Sequence, residues 1–382
     1  MWEDQQDRPT VAEVNLAVIG RNITAIRKRI GPGPEIMAVV KADAYGHGAV
    51  QVATTALTSG ATWLGVASVE EGVVLRKSGI IAPILVLGQL FPSQARRALR
   101  YSLSCTVSTY EFAEALSVAA TQEGKKGKCH VKVDTGMGRI GVLPRQAPSF
   151  VRRVAMLPNI EVEGIYTHFA TADSDDKSFA REQLSRFMDV IDALRAAGVD
   201  VQFRHAANSA ACLDMPEARL DLVRLGILMY GLSPFSTERF QKLKREMEIR
   251  PALSLKTRAC FVKRVPAGTP IGYGATYVTR EDTVVVTLPV GYADGLSRGL
   301  SNRGEVLIRG RRFPIVGRVC MDQCMVDTGG LDVEVGEEVV LIGTQGDQEI
   351  TAEDVADRLG TISYEVVCAI SKRVPRVYTS QP

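Results

Sequence analysis

The sequence lacks several features that would each have pointed to a class of function. No apolar run approaches the roughly 20 residues of a membrane-spanning helix, so no membrane partner is indicated. No dense basic block is present and the net charge is only +3, which argues against nucleic acid. The segment RRFPIVGR (311–318) carries several arginines, but they alternate with apolar residues and read as a solvated strand face. A cysteine framework is missing as well. The seven cysteines are odd in number and scattered, which suggests a reducing compartment. Their one close pair, Cys320 and Cys324 in VCMDQCMV, reads as part of a single strand without the turn of a zinc knuckle, so a metal site is discounted. The first ten residues, MWEDQQDRPT, are acidic and polar and do not resemble a secretory signal. A cytoplasmic protein is expected.

What is present is a regular beat. The 382 residues are too many for one ordinary core, and 46% hydrophobic with 23% charged residues is normal for a soluble enzyme. Eight strand-like runs appear at 36–41, 63–68, 83–88, 103–108, 129–134, 162–168, 201–207 and 222–231. Helix-like segments fill most gaps. In SFAREQLSRFMDVIDALRAAG, Phe179, Phe187, Val190, Ile191 and Leu194 recur at helical spacing and Gly198 is the stop. Eight near-equal units favour a closed (β/α)8 TIM-type barrel over an open doubly wound sheet. We assign it residues 1–245, with the extreme N-terminus free to pack elsewhere. The charged, proline-bracketed stretch 232–251 reads as a crossing. A mainly-β C-terminal domain over 246–382 follows, including strands LSLKTRACFV, TVVVTLPV, EVLIRG, RRFPIVGRVCMDQCMV and EEVVLIG. Thr351 and Asp354 read as a capping box for the helix AEDVADRL, with Gly360 as its stop.

Barrel chemistry belongs at the carboxyl ends of strands. The first run, in MAVVKADAYGHG (37–48), ends in Lys41 at the mouth of a glycine-containing loop. One reading is a strand-end lysine with its head in water. The other is an amine held neutral in a partly dry pocket, able to form a Schiff base or act as a base. The fifth run leads into DTGMGRIG with Arg139, the sixth ends in His168, the seventh leads to Ser209, and the eighth carries Arg224. A buried arginine stays charged and needs an acceptor, which a ligand would supply. Ser209 opens a helix and is suited to a phosphate. GMGRIG (136–141) matches the dinucleotide fingerprint, but no helix opens directly after it, so NAD binding is set aside.

The blocks VVKADAYGHG, HVKVDTGMGRIG, THFATAD, HAANSA, VRLGILMYG, IGYGATY, VGYADG, GRVCMDQCMVD and TISYEVVCAIS, in this order, resemble those of bacterial alanine racemases. They extend over residues 37–371, nearly the whole chain. The resemblance implies pyridoxal 5'-phosphate held by Lys41 as a Schiff base, and interconversion of L- and D-alanine that supplies D-alanine for cell-wall peptidoglycan. It implies Lys41 and Tyr273 as bases on opposite faces of Cα, with His168 hydrogen-bonded to the tyrosine. It also implies a homodimer with active sites shared between subunits. Arg224 resembles the partner of the pyridine nitrogen. Tyr45, Ser209 and Tyr364, with the amides of Gly226 and Ile227, are similar to the phosphate cradle. Arg139 and the Met321 amide are similar to the substrate-carboxylate contacts. Lys132 matches a position that some members carry as a carbamylated lysine, Tyr292 and Asp173 look like entrance residues, and Cys320 and Asp322 flank Met321. A decarboxylase of the same architecture would not need a second proton shuttle such as Tyr273. A non-catalytic pyridoxal-phosphate carrier would resemble the barrel alone.

Overall fold

The computed structural model describes residues 8–235 and 237–380, in two compact units. One comprises Ile19–Ala44 and Ala49–Ile249. The other comprises the chain up to Val18, the short piece Tyr45–Gly48, and everything from Arg250 onward. Strand β1 (Val11–Asn15) lies in this second unit, and so does half of the glycine-containing loop after Lys41.

The first unit is built on eight parallel strands: β2 (Glu35–Val39), β3 (Trp63–Val66), β4 (Ile84–Val86), β5 (Ser104–Val107), β6 (Gly127–Lys132), β7 (Ile160–Tyr166), β8 (Phe203–His205) and β9 (Leu222–Leu225). Each pairs with the next from β2 to β8, and β9 returns to pair with β2. Two backbone hydrogen bonds draw β9 to β8 and nearly close the barrel: Asp221 to the Arg204 carbonyl (3.1 Å) and Arg224 to the Ala207 carbonyl (3.0 Å). These strands read as short apolar runs because both faces are covered. Met37, Trp63, Leu85, Phe203 and Leu222 form one buried cluster on them.

The helices between strands carry one apolar stripe each. Helix Ser178–Ala196 buries Leu184, Phe187, Val190, Ile191 and Leu194, at about 1.5–3 kcal/mol per fully buried side chain, and Gly198 follows it at φ +72°. Phe179, expected on the same stripe, is only half-buried and lies under the Arg186 guanidinium, 6.0 Å from ring centroid to Cζ. The crossing segment is not bare loop: it contains helix Thr237–Met247.

The second unit is mainly β. Its strands are β10 (Leu253–Arg258), β11 (Phe261–Val265), β12 (Pro270–Ile271), β13 (Tyr277–Val278), β14 (Thr283–Leu288), β15 (Glu305–Ile308), β16 (Arg311–Val316), β17 (Cys324–Asp327), β18 (Glu338–Gln345), β19 (Gln348–Ile350) and β20 (Arg376–Thr379). They form a sheet of order β11-β14-β17-β16-β15-β18-β10-β1-β20 with β19 on β18, beside the hairpin β12–β13. Two expected strands are each divided. LSLKTRACFV breaks at Ala259–Cys260 into β10 and β11. RRFPIVGRVCMDQCMV breaks after Val316, where Gly317 takes φ +72°, and turns through Cys320–Gln323, closed by the Cys320 amide donating to the Gln323 carbonyl (2.9 Å). Cys320 and Cys324 therefore do not share one strand face. The capping box is present: Thr351 Oγ1 accepts from the Asp354 amide and the Asp354 carboxylate accepts from the Thr351 amide, both at 2.9 Å, ahead of helix Ala352–Leu359.

Candidate active site

Lys41 follows β2 and stands at the start of a single left-handed turn. Ala42, Asp43, Ala44 and Tyr45 all have φ of 53–55°. Each such residue is disfavoured by about 1–2 kcal/mol relative to a right-handed one, so the turn needs external support. Glu71 supplies it: Oε1 accepts from the Ala42 amide (2.7 Å) and Oε2 from the Ala67 amide (2.6 Å). Asp43 Oδ1 accepts from the Ala49 amide (2.8 Å) at the next helix. Gly46 and Gly48 have positive φ, and side chains there would overlap the Val367 carbonyl and the Tyr378 hydroxyl. Their role is close packing within the second unit. His47 is fully buried with Nδ1 2.9 Å from the Tyr45 carbonyl, a structural placement.

Arg224, buried on β9, is the hub of the barrel site. Its Nη1 donates to His205 Nδ1 (2.9 Å), and Nη2 donates to the carbonyls of Thr167 and Ala206 (2.8 Å each) and to His168 Nδ1 (3.2 Å). A guanidinium can only donate. His168 therefore accepts at Nδ1 and, when neutral, carries its proton on Nε2. Burial, then the charges of Arg224, Lys132, Arg139 and Lys41, push His168 well below the usual histidine range. Burial also lowers Arg224, to about 10, so it stays protonated at neutral pH.

Lys132, the last residue of β6, is 2% exposed and donates to the Val133 carbonyl (2.9 Å). Burial first, then Arg224 and Arg139, bring its amine down to about 7. Arg139 itself is exposed on the loop that follows. In that loop, Asp134 Oδ1 accepts from the amides of Gly136, Met137 and Gly138 at 2.9–3.0 Å. Amides that a dinucleotide phosphate would need are thus bound to the chain's own carboxylate. No helix opens until Ala147, after a 3-10 turn at Pro144–Gln146. After β8, Ser209 Oγ accepts from the Gly226 amide (2.9 Å), and the Ile227 amide lies in the same turn. Asp173 is exposed on the loop after β7.

The second unit gathers the remaining candidates. Tyr45 and Tyr364 meet edge to face, with ring centroids 6.1 Å apart. Tyr273 is 72% exposed in a 3-10 turn between Gly272 (φ +71°) and Gly274 (φ +73°), beside Arg318. Tyr292 and Met321 lie on adjoining loops: the Tyr292 amide donates to the Cys320 carbonyl and the Ala293 amide to the Met321 carbonyl, both 3.0 Å. Arg373 joins the two loops through Asp322 (2.7 Å) and the buried Asp294 (3.3 Å).

Comparison with known proteins settles the kinship. A model of the alanine racemase N-terminal domain matches residues 14–234, and one of the C-terminal domain matches 252–378. The chain belongs to the alanine racemase family. It is 49% identical to an alanine racemase of Halothermothrix orenii, over 98% of each chain, and 52% identical to one of Symbiobacterium thermophilum, over 97% of each. Among solved structures it is similar to the alanine racemase of a D-cycloserine-producing Streptomyces lavendulae (TM-score 0.93, 38% identity, 99% of each chain). It is also similar to that of Bacillus anthracis with bound L-Ala-P (TM-score 0.91, 42% identity, 97% of this chain and 95% of the other).

Alanine racemases are pyridoxal 5'-phosphate enzymes, and the donor set of the barrel unit fits that group. Lys41, Lys132, Arg139 and Arg224 all bear on His168, with no carboxylate among its influences. Such a field favours an anionic ligand with a phosphate and a phenolate. The sequence reading missed Glu71, His205, His130 and Glu163. Glu71 could have been suspected from its place in the first turn of a capped helix; the others lay inside runs read simply as strand.

Proposed function

We infer that the protein interconverts L- and D-alanine with pyridoxal 5'-phosphate, the reading carried by the match to both alanine racemase domains over nearly the whole chain. The cofactor, when bound, acts as an electron sink that acidifies the Cα–H bond of its amino-acid adduct. This chain's residues do the rest. Lys41 would hold the cofactor and exchange a proton at one face of Cα, and Tyr273 would do so at the other, the inversion a racemase needs. The His168 Nε2–H, fixed by the Arg224 donation at Nδ1, is suited to donate to a tyrosinate and so support Tyr273 as a base.

Arg224 would face the pyridine nitrogen as a permanent donor, leaving that nitrogen unprotonated. Ser209, Gly226, Ile227, Tyr45 and Tyr364 would cradle the phosphate. Arg139 and the Met321 amide would take the substrate carboxylate, and carbamylation of Lys132 would turn a cation into an anion that steadies Arg139. Tyr292 and Asp173 would guard the entrance, with Cys320 and Asp322 supporting Met321. The exposed Tyr273 supports a homodimer in which it serves the barrel of a second copy. The domain division at 245/246, a cytoplasmic location and a role in supplying peptidoglycan D-alanine belong to the same proposal. No helix among the described residues is long and apolar enough to cross a membrane.

The test is to incubate the holoenzyme with L-alanine and follow optical rotation together with carbon dioxide release. Rotation should decay to zero without gas, and Lys41→Ala should abolish both the decay and the Schiff-base absorbance. Carbon dioxide, or unchanged rotation with cofactor bound, would overturn the reading.

A further inference from the structure

The interior of an eight-stranded barrel is ordinarily filled by apolar layers. Here a line of polar groups runs through it. Arg224 Nη1 donates to His205 Nδ1 (2.9 Å), and His205 Nε2 lies 2.9 Å from His130 Nδ1. His130 Nε2 then faces Glu163 Oε2 at 3.7 Å, and has no hydrogen-bond partner. Glu163 accepts from Ser104 Oγ and from Lys128 Nζ, both at 2.6 Å, and the Lys128 side chain is half exposed. The line therefore joins strands β9, β8, β6, β7 and β5, from the candidate pyridine-facing cation to solvent-exposed Lys128.

The backbone is built to admit it. A side chain at Gly164 would overlap His130 Nδ1, and the β6–β7 register shifts between Cys129 and His130. Tyr166 stacks on His205 (4.7 Å, 6°), while Trp63 packs edge-on against His130 (5.3 Å). Both imidazoles are fully buried.

The polarity of the line has one solution. Arg224 can only donate, so His205 Nδ1 accepts and a neutral His205 carries its proton on Nε2. That proton is given to His130 Nδ1, which leaves the His130 proton on Nε2, aimed at the carboxylate. Burial lowers both histidines, keeping them neutral. Burial alone would raise Glu163, but His130, Lys128 and Ser104 outweigh it and hold the carboxyl at about 2.

We propose that Glu163 is a positioning residue for Arg224, acting through His130 and His205. Its carboxylate faces the His130 Nε2–H and supplies the counter-charge that Arg224 lacks among its direct partners. It thereby sets how strongly the guanidinium donates to the cofactor's pyridine nitrogen. This rests on the reading of Arg224 given above.

The test compares wild type with Glu163→Gln, His130→Asn and Arg224→Lys by 15N NMR. In the cofactor-free protein, His130 and His205 should each be a single Nε2–H tautomer. Glu163→Gln should leave both tautomers in place and shift the His130 Nε2 signal, whose facing carboxylate is gone. With 15N-labelled cofactor bound, Glu163→Gln and His130→Asn should both move the pyridine signal toward the protonated value. They should also lower kcat roughly tenfold, the scale of losing an outer-shell partner, with little change in the alanine KM. An unmoved pyridine signal in both, with Arg224→Lys moving it, would overturn the proposal. So would a loss of thermal stability alone, with the His130 Nε2 and pyridine signals unmoved. If Arg224→Lys also leaves the signal in place, the placement of Arg224 at the pyridine fails instead. If Glu163→Gln does not fold, His130→Asn decides by the same signal.

Discussion

The two units present their candidate groups in opposite states. On the barrel unit, Arg224 is 3% exposed, Lys132 2%, and Ser209 is buried, each held by hydrogen bonds inside its own unit. On the β unit, Tyr273 is 72% exposed and Met321 52%, with only their loops anchored. Buried cations are costly to assemble and are worth that cost only when pre-organised for a ligand. Exposed tyrosine and backbone groups keep their hydration until another surface arrives. The barrel unit therefore carries groups ordered by its own contacts, whereas the β unit offers groups left open to solvent.

The sharpest break of this contrast is Tyr273→Phe. Removing one hydroxyl from an exposed turn should leave the melting temperature unchanged and still lower racemisation by roughly 10²–10⁴-fold, the range for loss of an acid–base group. Solvent-deuterium exchange should fall more from L-alanine than from D-alanine. Equal losses from both would contradict its placement on one face.

Lys132→Met should do the reverse and raise stability. The unfolded lysine takes up its proton near the ordinary value of 10.5, but the buried amine does so only near 7. Between those values the unfolded chain binds more protons, so stability rises with pH, and at pH 7 the wild type carries most of the penalty. Methionine removes it. The melting temperature of Lys132→Met should exceed that of wild type at pH 7, and the rise between pH 7 and 10 should flatten. A slope unchanged by the substitution would show that Lys132 is not the group responsible. Intact-mass measurement at high bicarbonate, wild type against this variant, would report carbamylation at the same position.

The smallest expected effect is Glu71→Gln. The amide can still accept once but must place its NH₂ against a backbone N–H, a loss of about 1–3 kcal/mol at the left-handed turn. Hydrogen exchange at the Ala42 amide should quicken by more than exchange in the strands. Uniform acceleration would mean the carboxylate supports the whole barrel and not the turn.

The eight strands were legible because each is a short apolar run bounded by turn residues, and the spacing of the runs is regular. Arg224 was legible as a problem, a charge inside an apolar run, and its solution was not. His205 lies 19 residues away and His130 a further 75, separations across which strand periodicity carries no information. The left-handed turn was invisible for another reason. Ala-Asp-Ala-Tyr contains no glycine, and what forces it lies in Glu71, 29 residues further on. The division of VCMDQCMV was missed because its apolar ends continue the strand pattern across Cys320–Gln323, whose turn is set by a backbone hydrogen bond.

Gly164 has a consequence for how this sequence can change. Any side chain there evicts His130, and once His130 is gone Glu163 remains as a buried carboxylate with one neighbour fewer. Gly164 and His130 are accordingly coupled: a side chain at position 164 can be accommodated only where the residue at 130 gives way. The space left at Gly164 thus decides which group the neighbouring carboxylate faces.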